Sequence, residues 1–242
     1  MSEVVLLGAA GHAKVIIEIF QETRAFEVVG CLSPQSANAA ICGIPILGDD
    51  RELDRLLAKG VRRAFVAVGE NRRRAALCKR VQEIGFELVN AISSHATVSP
   101  SVRLGQGIAV MPGAVLNAET IVSDGSIINT GATVDHDCFI GAYSHIAPGS
   151  NLAGSVRVGS GAFLGTGSRV IPNIRIGEWS TVGAGAVVIA DVPPRVTAVG
   201  VPARIKDRKN EGYKSNEHSS DRDAQDLGLP SLVCGEREEI CE

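Results

Sequence analysis

The sequence predicts an α/β domain with a parallel sheet followed by a parallel β-helix, and three observations carry that prediction. Strand-like and helix-like stretches alternate up to about residue 91. From there a six-residue period runs unbroken for about 95 residues. Only 4% of the 242 residues are aromatic although 45% are apolar, so the core must be stacked from many small aliphatic side chains.

In the first segment, "VVLLG" reads as a short buried strand, and "AAGHAKVIIEIFQET" carries helical spacing through Val15, Ile16, Ile19 and Phe20. "FEVVGCLS" and "RRAFVAVG" read as further strands, helices are expected near 50–58 and 71–84, and "FELVN" closes the unit. Strands alternating with helices predict a parallel sheet.

The second segment changes period. Stepping by six from Val98 through Leu104, Val110, Leu116, Val122, Ile128, Val134 and Ile140 to Ile146, Leu152, Val158, Leu164, Val170, Ile176, Val182 and Val188 meets an aliphatic residue every time. A short fixed period marks a solenoid. Each hexad is one short strand plus one corner, and three hexads make a triangular coil of 18 residues. The aliphatic points into the prism and stacks on its equivalent about 4.8 Å away. Four places later a small residue (Ala114, Ser126, Ala132, Ser144) turns inward near the corner. Glycine or asparagine three places after the aliphatic (Gly131, Gly149, Asn173) supplies left-handed corner dihedrals.

The third segment follows "VGVPARIKDR". Residues 207–242 hold ten acids and five bases without periodicity, which predicts an acidic, disordered tail. The net charge of −3 argues against a nucleic-acid binder. Six cysteines without CxxC or metal-ligand spacing read as reduced thiols. With no basic-then-apolar leader and no long apolar run, the expectation is a cytoplasmic protein that does not insert into membranes.

Within "TVDHDCFIGAYSHIAPG" stand two histidines. His136 comes two places after Val134, at a corner edge, directed outward between Asp135 and Asp137. His145 comes five places after Ile140 and faces outward from the middle of a flat face. Adding one coil to position 136 places Gly154 over His136 on the same edge. The two histidines cannot easily meet within one prism, so a shared site requires a neighbouring prism, as when three prisms pack side by side. A carboxylate beside an imidazole fixes its tautomer and stabilises the imidazolium, which suits a general base. Either Asp135 or Asp137 could be that carboxylate.

The "GAAGHAKVIIE" opening, the uninterrupted hexads, "NTGATVDHDCFIGAYSHIAPG" and the closing "VGVPA" together resemble the nucleotide-aminosugar N-acetyltransferase / sialic acid O-acetyltransferase family. The likeness covers residues 1 to about 206 and implies an α/β N-terminal Rossmann-like domain (1–91) and a left-handed parallel β-helix (92–206). It further implies acetyl-CoA as co-substrate, no metal, a homotrimer, and N-acetylation of a nucleotide-linked 4-amino-4,6-dideoxy sugar, UDP-linked first. Carried over position by position, the base is His136, the acid raising its basicity Asp137, and the N–H holding the thioester oxygen that of Gly154. His145 would contact acetyl-CoA, and Thr166 and Ala184, 18 residues apart, would line the pantetheine channel.

"LLGAAGHAK" departs from the dinucleotide fingerprint, with Ala10 and Ala13 where two glycines are required, so NAD is rejected. What remains is a strand-to-helix turn that attracts an anion. The resemblance assigns Ala10, Gly11 and His12, with Gly69 of "VAVGEN", to the nucleotide sugar. Where the family has an aspartate pair near the uracil, this chain has Ser33 and Pro34.

Three rivals stand beside this reading. A γ-type carbonic anhydrase needs three zinc histidines, whereas His136 and His145 lie nine residues apart with no third outward partner. A non-catalytic nucleotide-sugar-binding scaffold would be indifferent to loss of His136. Sialic acid O-acetylation exchanges the amine for a hydroxyl.

Overall fold

The N-terminal sheet is built from β1 (Ser2–Leu7), β2 (Phe26–Leu32), β3 (Ala40–Ile41), β4 (Ile44–Gly48), β5 (Arg63–Val66) and β6 (Glu87–Leu88). The computed structural model describes residues 2–34 and 40–206 and orders these strands β3-β4-β2-β1-β5-β6. Pairing is parallel throughout except for β3 and β4. That antiparallel hairpin corrects the expectation of a purely parallel sheet. Its turn, Cys42-Gly43, runs through two positive-φ residues, the geometry that lets a tight turn follow the strand twist. The expected helices are α1 (Gly11–Thr23), α2 (Leu53–Ala58), preceded by one 3-10 turn at Asp50–Glu52, and α3 (Asn71–Ile84).

α1 is apolar on more than one side because it is a middle layer. Its Ile16, Ile17, Ile19 and Phe20 share one cluster with Val4 and Leu6 of the sheet and with Ala109, Met111 and Ile127 of the repeat segment. α2 and α3 cover the opposite side of the sheet.

From Ala91–Ile92 through Arg169–Val170, every strand pairs in parallel with the one 18 residues later, Thr133 with Asn151 and His145 with Phe163 for example. The result is a three-sheeted parallel β-helix. Face one contains Ala109–Val110, Ile127–Ile128, His145–Ile146, Phe163–Leu164 and Thr181–Val182; face two contains Val115–Leu116, Thr133–Val134, Asn151–Leu152 and Arg169–Val170; face three contains Ile121–Val122, Phe139–Ile140, Arg157–Val158 and Arg175–Ile176. The hexad aliphatics form a single core. The inward corner serines are satisfied by the next coil: Ser126 Oγ donates to Gly141 O at 3.0 Å and Ser150 Oγ to Gly165 O at 3.0 Å. Small size is therefore only half of what the corner selects; the hydroxyl also caps a buried carbonyl. Thr197–Val199 and Arg204–Ile205 pair antiparallel and cover the end of face one.

The expected acidic tail, with Cys234 and Cys241, lies outside the described residues. Among those described, no helix is long and apolar enough to cross a membrane.

Candidate active site

His136 sits at the corner between faces two and three with its side chain 58% exposed. Two acids hold it in different ways. Asp135 Oδ1 accepts the backbone N–H of His136 at 2.8 Å and the side-chain amide of Asn117 at 2.9 Å, so it fixes the corner and not the ring. Asp137 Oδ2 lies 2.7 Å from His136 Nδ1 and accepts the hydrogen bond of the ring N–H there. Neighbouring side chains normally diverge. They meet here because Asp137 occupies the left-handed region at φ 59°, where most other corners have glycine. Geometry thereby selects Asp137 as the acid that faces the ring. Its hydrogen bond, with the nearby charge of Asp135, raises the His136 pKa above the ordinary 6.5.

Gly154 stands one coil along, under the imidazole. A Cβ there would lie 2.6 Å from His136 Cε1 and 2.7 Å from Nε2. Its N–H donates to no other group among the described residues, which leaves a donor beside the basic nitrogen. Gly154→Ala is expected to swing the exposed ring aside without unfolding the prism. Such a misplacement costs turnover about 10²-fold, to be checked by kcat against an unchanged melting temperature. Cys138, next in sequence, points inward, donates its thiol to Ala153 O at 3.3 Å and is pushed by burial to a pKa of about 11, which suits a core residue and not a nucleophile.

The second feature is a cavity of about 500 Å³ at the carboxyl ends of β1, β2 and β5, lined by Ala10, His12, Ser33, Pro34 and Gly69. Open parallel sheets bind ligands at this edge. Gly11 is exposed in the first turn of α1 and does not contribute to the lining. That turn contains no acidic residue, so its N–H groups and dipole favour an anion. His12 Nε2 is buried without a hydrogen-bond partner, and burial, reinforced by Arg74, lowers its pKa to about 4. Sequence reasoning missed Asp49, Asp50 and Arg73, which also line the cavity.

His145 lies apart from that corner. It does face outward from the prism, but the N-terminal domain covers it, leaving 8% exposed. Its Nδ1 approaches Gly69 O at 3.3 Å, Asn129 Nδ2 lies 2.9 Å from its Nε2, and the Phe163 ring meets it edge-on at 5.3 Å. Burial first, then the charge of Arg74, lowers its pKa to about 3. Within one chain His145 is thus a neutral ring pinned beneath the Gly69 loop.

Arg74, also unsuspected from sequence, is 1% exposed and welds the two parts together. Its guanidinium donates to Val68 O, Gly69 O and Asn71 Oδ1 in its own domain, and to Gly125 O, Tyr143 O and Ser144 O of the β-helix.

The candidate residues fall into two groups that one chain keeps apart. The cavity and His145 lie on the side of face one, whereas His136, Asp137 and Gly154 occupy the corner between faces two and three. Thr166 and Ala184 stack on one another at the corner between faces one and two, both exposed, and so do not share an edge with Gly154. Among the described residues no three His, Cys, Asp or Glu side chains converge to hold a metal ion.

Comparison with known proteins places the molecule. Residues 3–81 match the PglD N-terminal domain family, and residues 155–190 the bacterial transferase hexapeptide (six repeats) family. The perosamine N-acetyltransferase of Caulobacter crescentus is 49% identical over 86% of this chain and 98% of that one, with a TM-score of 0.83. The acetyltransferase domain of PglB from Neisseria gonorrhoeae is 37% identical over 85% of this chain and all of that one, with a TM-score of 0.82. Among curated sequences, 124 residues are 32% identical to "Uncharacterized protein L142" of Acanthamoeba polyphaga mimivirus, and the match spans 24% of that relative's length. Agreement in sequence and fold over 86% of this chain and 98% of the perosamine enzyme shows the family: the chain belongs to the PglD-type sugar N-acetyltransferases of the hexapeptide-repeat acyltransferases.

Proposed function

We propose that the protein transfers the acetyl group of acetyl-CoA to the amino group of a nucleotide-linked 4-amino-4,6-dideoxy sugar. One observation carries this reading: His136, braced by Asp137, holds its Nε2 over Gly154, whose N–H donates to no other group among the described residues. The Caulobacter enzyme has been solved with CoA and GDP-perosamine, including variants in which a histidine is replaced by asparagine or alanine, and the gonococcal domain with acetyl coenzyme A.

The sugar amine attacks the thioester carbon. As the C–N bond forms, its proton passes to His136 Nε2, and the carbonyl oxygen, now an oxyanion, accepts from the Gly154 N–H. The C–S bond then breaks and the leaving sulfur takes the proton from the imidazolium, giving the amide and free CoA. The oxyanion donor contributes roughly 3–4 kcal/mol. Asp137 keeps the proton on Nδ1, so that Nε2 is the basic nitrogen. Thiol release from acetyl-CoA with 4-amino-sugar nucleotides and none with sialic acid is the expected result; the reverse pattern replaces this reading with O-acetylation.

The reading includes a trimer in which the head cavity of one chain meets the His136 corner of the next. The separation of the two groups within one chain supports it. So do Ile171 and Ile189, exposed apolar side chains that continue the His136–Gly154 edge and are suited to being covered. On this view CoA lies in the seam, touching Gly154 of one prism and Thr166 and Ala184 of its neighbour. Two inactive variants should then complement each other. Mixed trimers of His136→Ala and Ala10→Glu, the second placing a carboxylate at the head of α1, should regain about a quarter of wild-type activity, since random mixing leaves both components intact in that fraction of interfaces. No recovery in trimers shown by mass to be mixed would confine the site to one chain.

A further inference from the structure

We infer that Asp50 selects the nucleotide, reading the Watson–Crick edge of a guanine base in the head cavity, so that the acetyl acceptor is a GDP-linked sugar. This rests on the nucleotide-sugar reading of that cavity and goes beyond it by naming the base and the residue that chooses it.

The cavity has a directional charge pattern. At one side lie the first turn of α1, the unpartnered Nε2 of His12 and the Arg73 side chain of α3, features that suit a pyrophosphate. Asp49 and Asp50, brought in by the turn after β4, line the same cavity together with Ser33 and Pro34 at the end of β2. Carboxylates repel phosphate, so this wall is left to the base.

The two acids are not equivalent. Asp49 is occupied: Arg51 donates its backbone N–H to Oδ1 at 3.0 Å and its guanidinium to both oxygens at 2.6–2.9 Å. This closes the turn and holds Asp49 ionised, its pKa lowered to about 2 by those hydrogen bonds. Among the described residues the Asp50 carboxylate pairs only with Arg80, through Oδ2, at 3.3 Å. Its Oδ1 is left open and Oδ2 keeps a second lone pair, so both oxygens can accept at the cavity wall.

An ionised carboxylate only accepts hydrogen bonds. Guanine presents N1–H and the 2-amino group side by side, two donors matched to two carboxylate oxygens. Uracil and thymine present one N–H flanked by two carbonyl oxygens, so a carboxylate approaching that edge gains one bond and faces a like-charged acceptor. A matched bidentate pair discriminates between bases by roughly ten- to a hundredfold. The chain's similarity to an enzyme solved with GDP-perosamine accords with this choice, whereas the sequence alone ranked UDP first.

Titration calorimetry of the full chain with GDP, IDP, UDP and dTDP tests the assignment. GDP should bind about ten- to a hundredfold more tightly than UDP or dTDP. IDP, which lacks only the 2-amino group, should lose most of that advantage. In Asp50→Asn the preference for GDP over UDP should collapse while UDP affinity stays within about twofold, because the phosphate contacts are untouched. Equal affinity for GDP and UDP in the wild type, or an equal loss for all four ligands in Asp50→Asn, overturns the base assignment and leaves the acetyltransferase reading standing. Failure of every nucleotide to bind overturns the nucleotide-sugar reading, and this inference with it.

Discussion

His136→Ala lowers kcat/KM for acetyl transfer by about 10²–10⁴-fold, the usual contribution of a general base, while the melting temperature stays within the small range of surface substitutions. The ring is largely exposed and packs only on its own corner, so its loss removes chemistry and not core. Asparagine in its place should be equally inactive, since the amide cannot take a proton. The pH profile supplies an independent check with a definite sign. A base works in its neutral form, so activity rises with pH through the His136 pKa, and the Asp137 hydrogen bond places that rise above 6.5. Asp137→Asn should move the rising limb to lower pH, toward the unperturbed imidazole value. A limb that stays in place in Asp137→Asn would detach this carboxylate from the ring, and full activity in His136→Ala would remove the imidazole from the mechanism.

The parts of this molecule visible in its sequence are those governed by local rules. A hexad fixes which way each side chain points and what lies one coil away, so the prism, the outward His136 and the Gly154 beneath it follow from counting. The His136–Asp137 contact was half visible, because it depends on Asp137 taking a left-handed conformation that only some non-glycine corners adopt. The β3–β4 hairpin was hidden in "AICGIPILG", whose proline and short apolar run give no clear alternation. Burial of His145 was beyond any local rule, since it is covered by the Gly69 loop, some 75 residues earlier in the chain. Asp49 and Asp50 follow the same logic: only the fold carries the turn after β4 to the end of β2, where Ser33 and Pro34 had seemed to leave the cavity without an acid.

Arg74→Met should destabilise the protein by about 3–5 kcal/mol, the scale of removing one side of a buried charged network. "ENRRRAAL" presents three arginines in succession at the start of α3, and the helical turn sends them in different directions. Arg72 lies over the Trp179 ring at 4.5 Å, Arg73 enters the head cavity, and Arg74 points into the seam. Among the described residues no carboxylate forms a hydrogen bond or ion pair with the Arg74 guanidinium; Glu70 acts on it only from a distance. Its charge is balanced by the negative ends of five backbone carbonyls and the Asn71 amide, and burial lowers its pKa to about 10, still far above neutrality. A guanidinium offers five N–H donors in a plane, which is why it can bridge two coils of the prism and the Val68–Gly69 loop at once. Methionine fills similar volume but leaves those carbonyls buried and unpaired. For a unit of this size the melting temperature should fall on the order of 10 °C. Lysine keeps the charge with three donors and should fall between the two. The loss should reach the ligand site as well, because Val68 and Gly69 line the cavity and the same charge helps keep His12 and His145 neutral. Amide exchange at Val68–Asn71 should therefore accelerate more than in β1 or in the inner strands of the prism. A methionine variant within about 1 kcal/mol of wild type would mean that the apolar packing of α1 and the Asn71 and Asn90 hydrogen bonds hold the two domains, with the arginine a passenger in the seam.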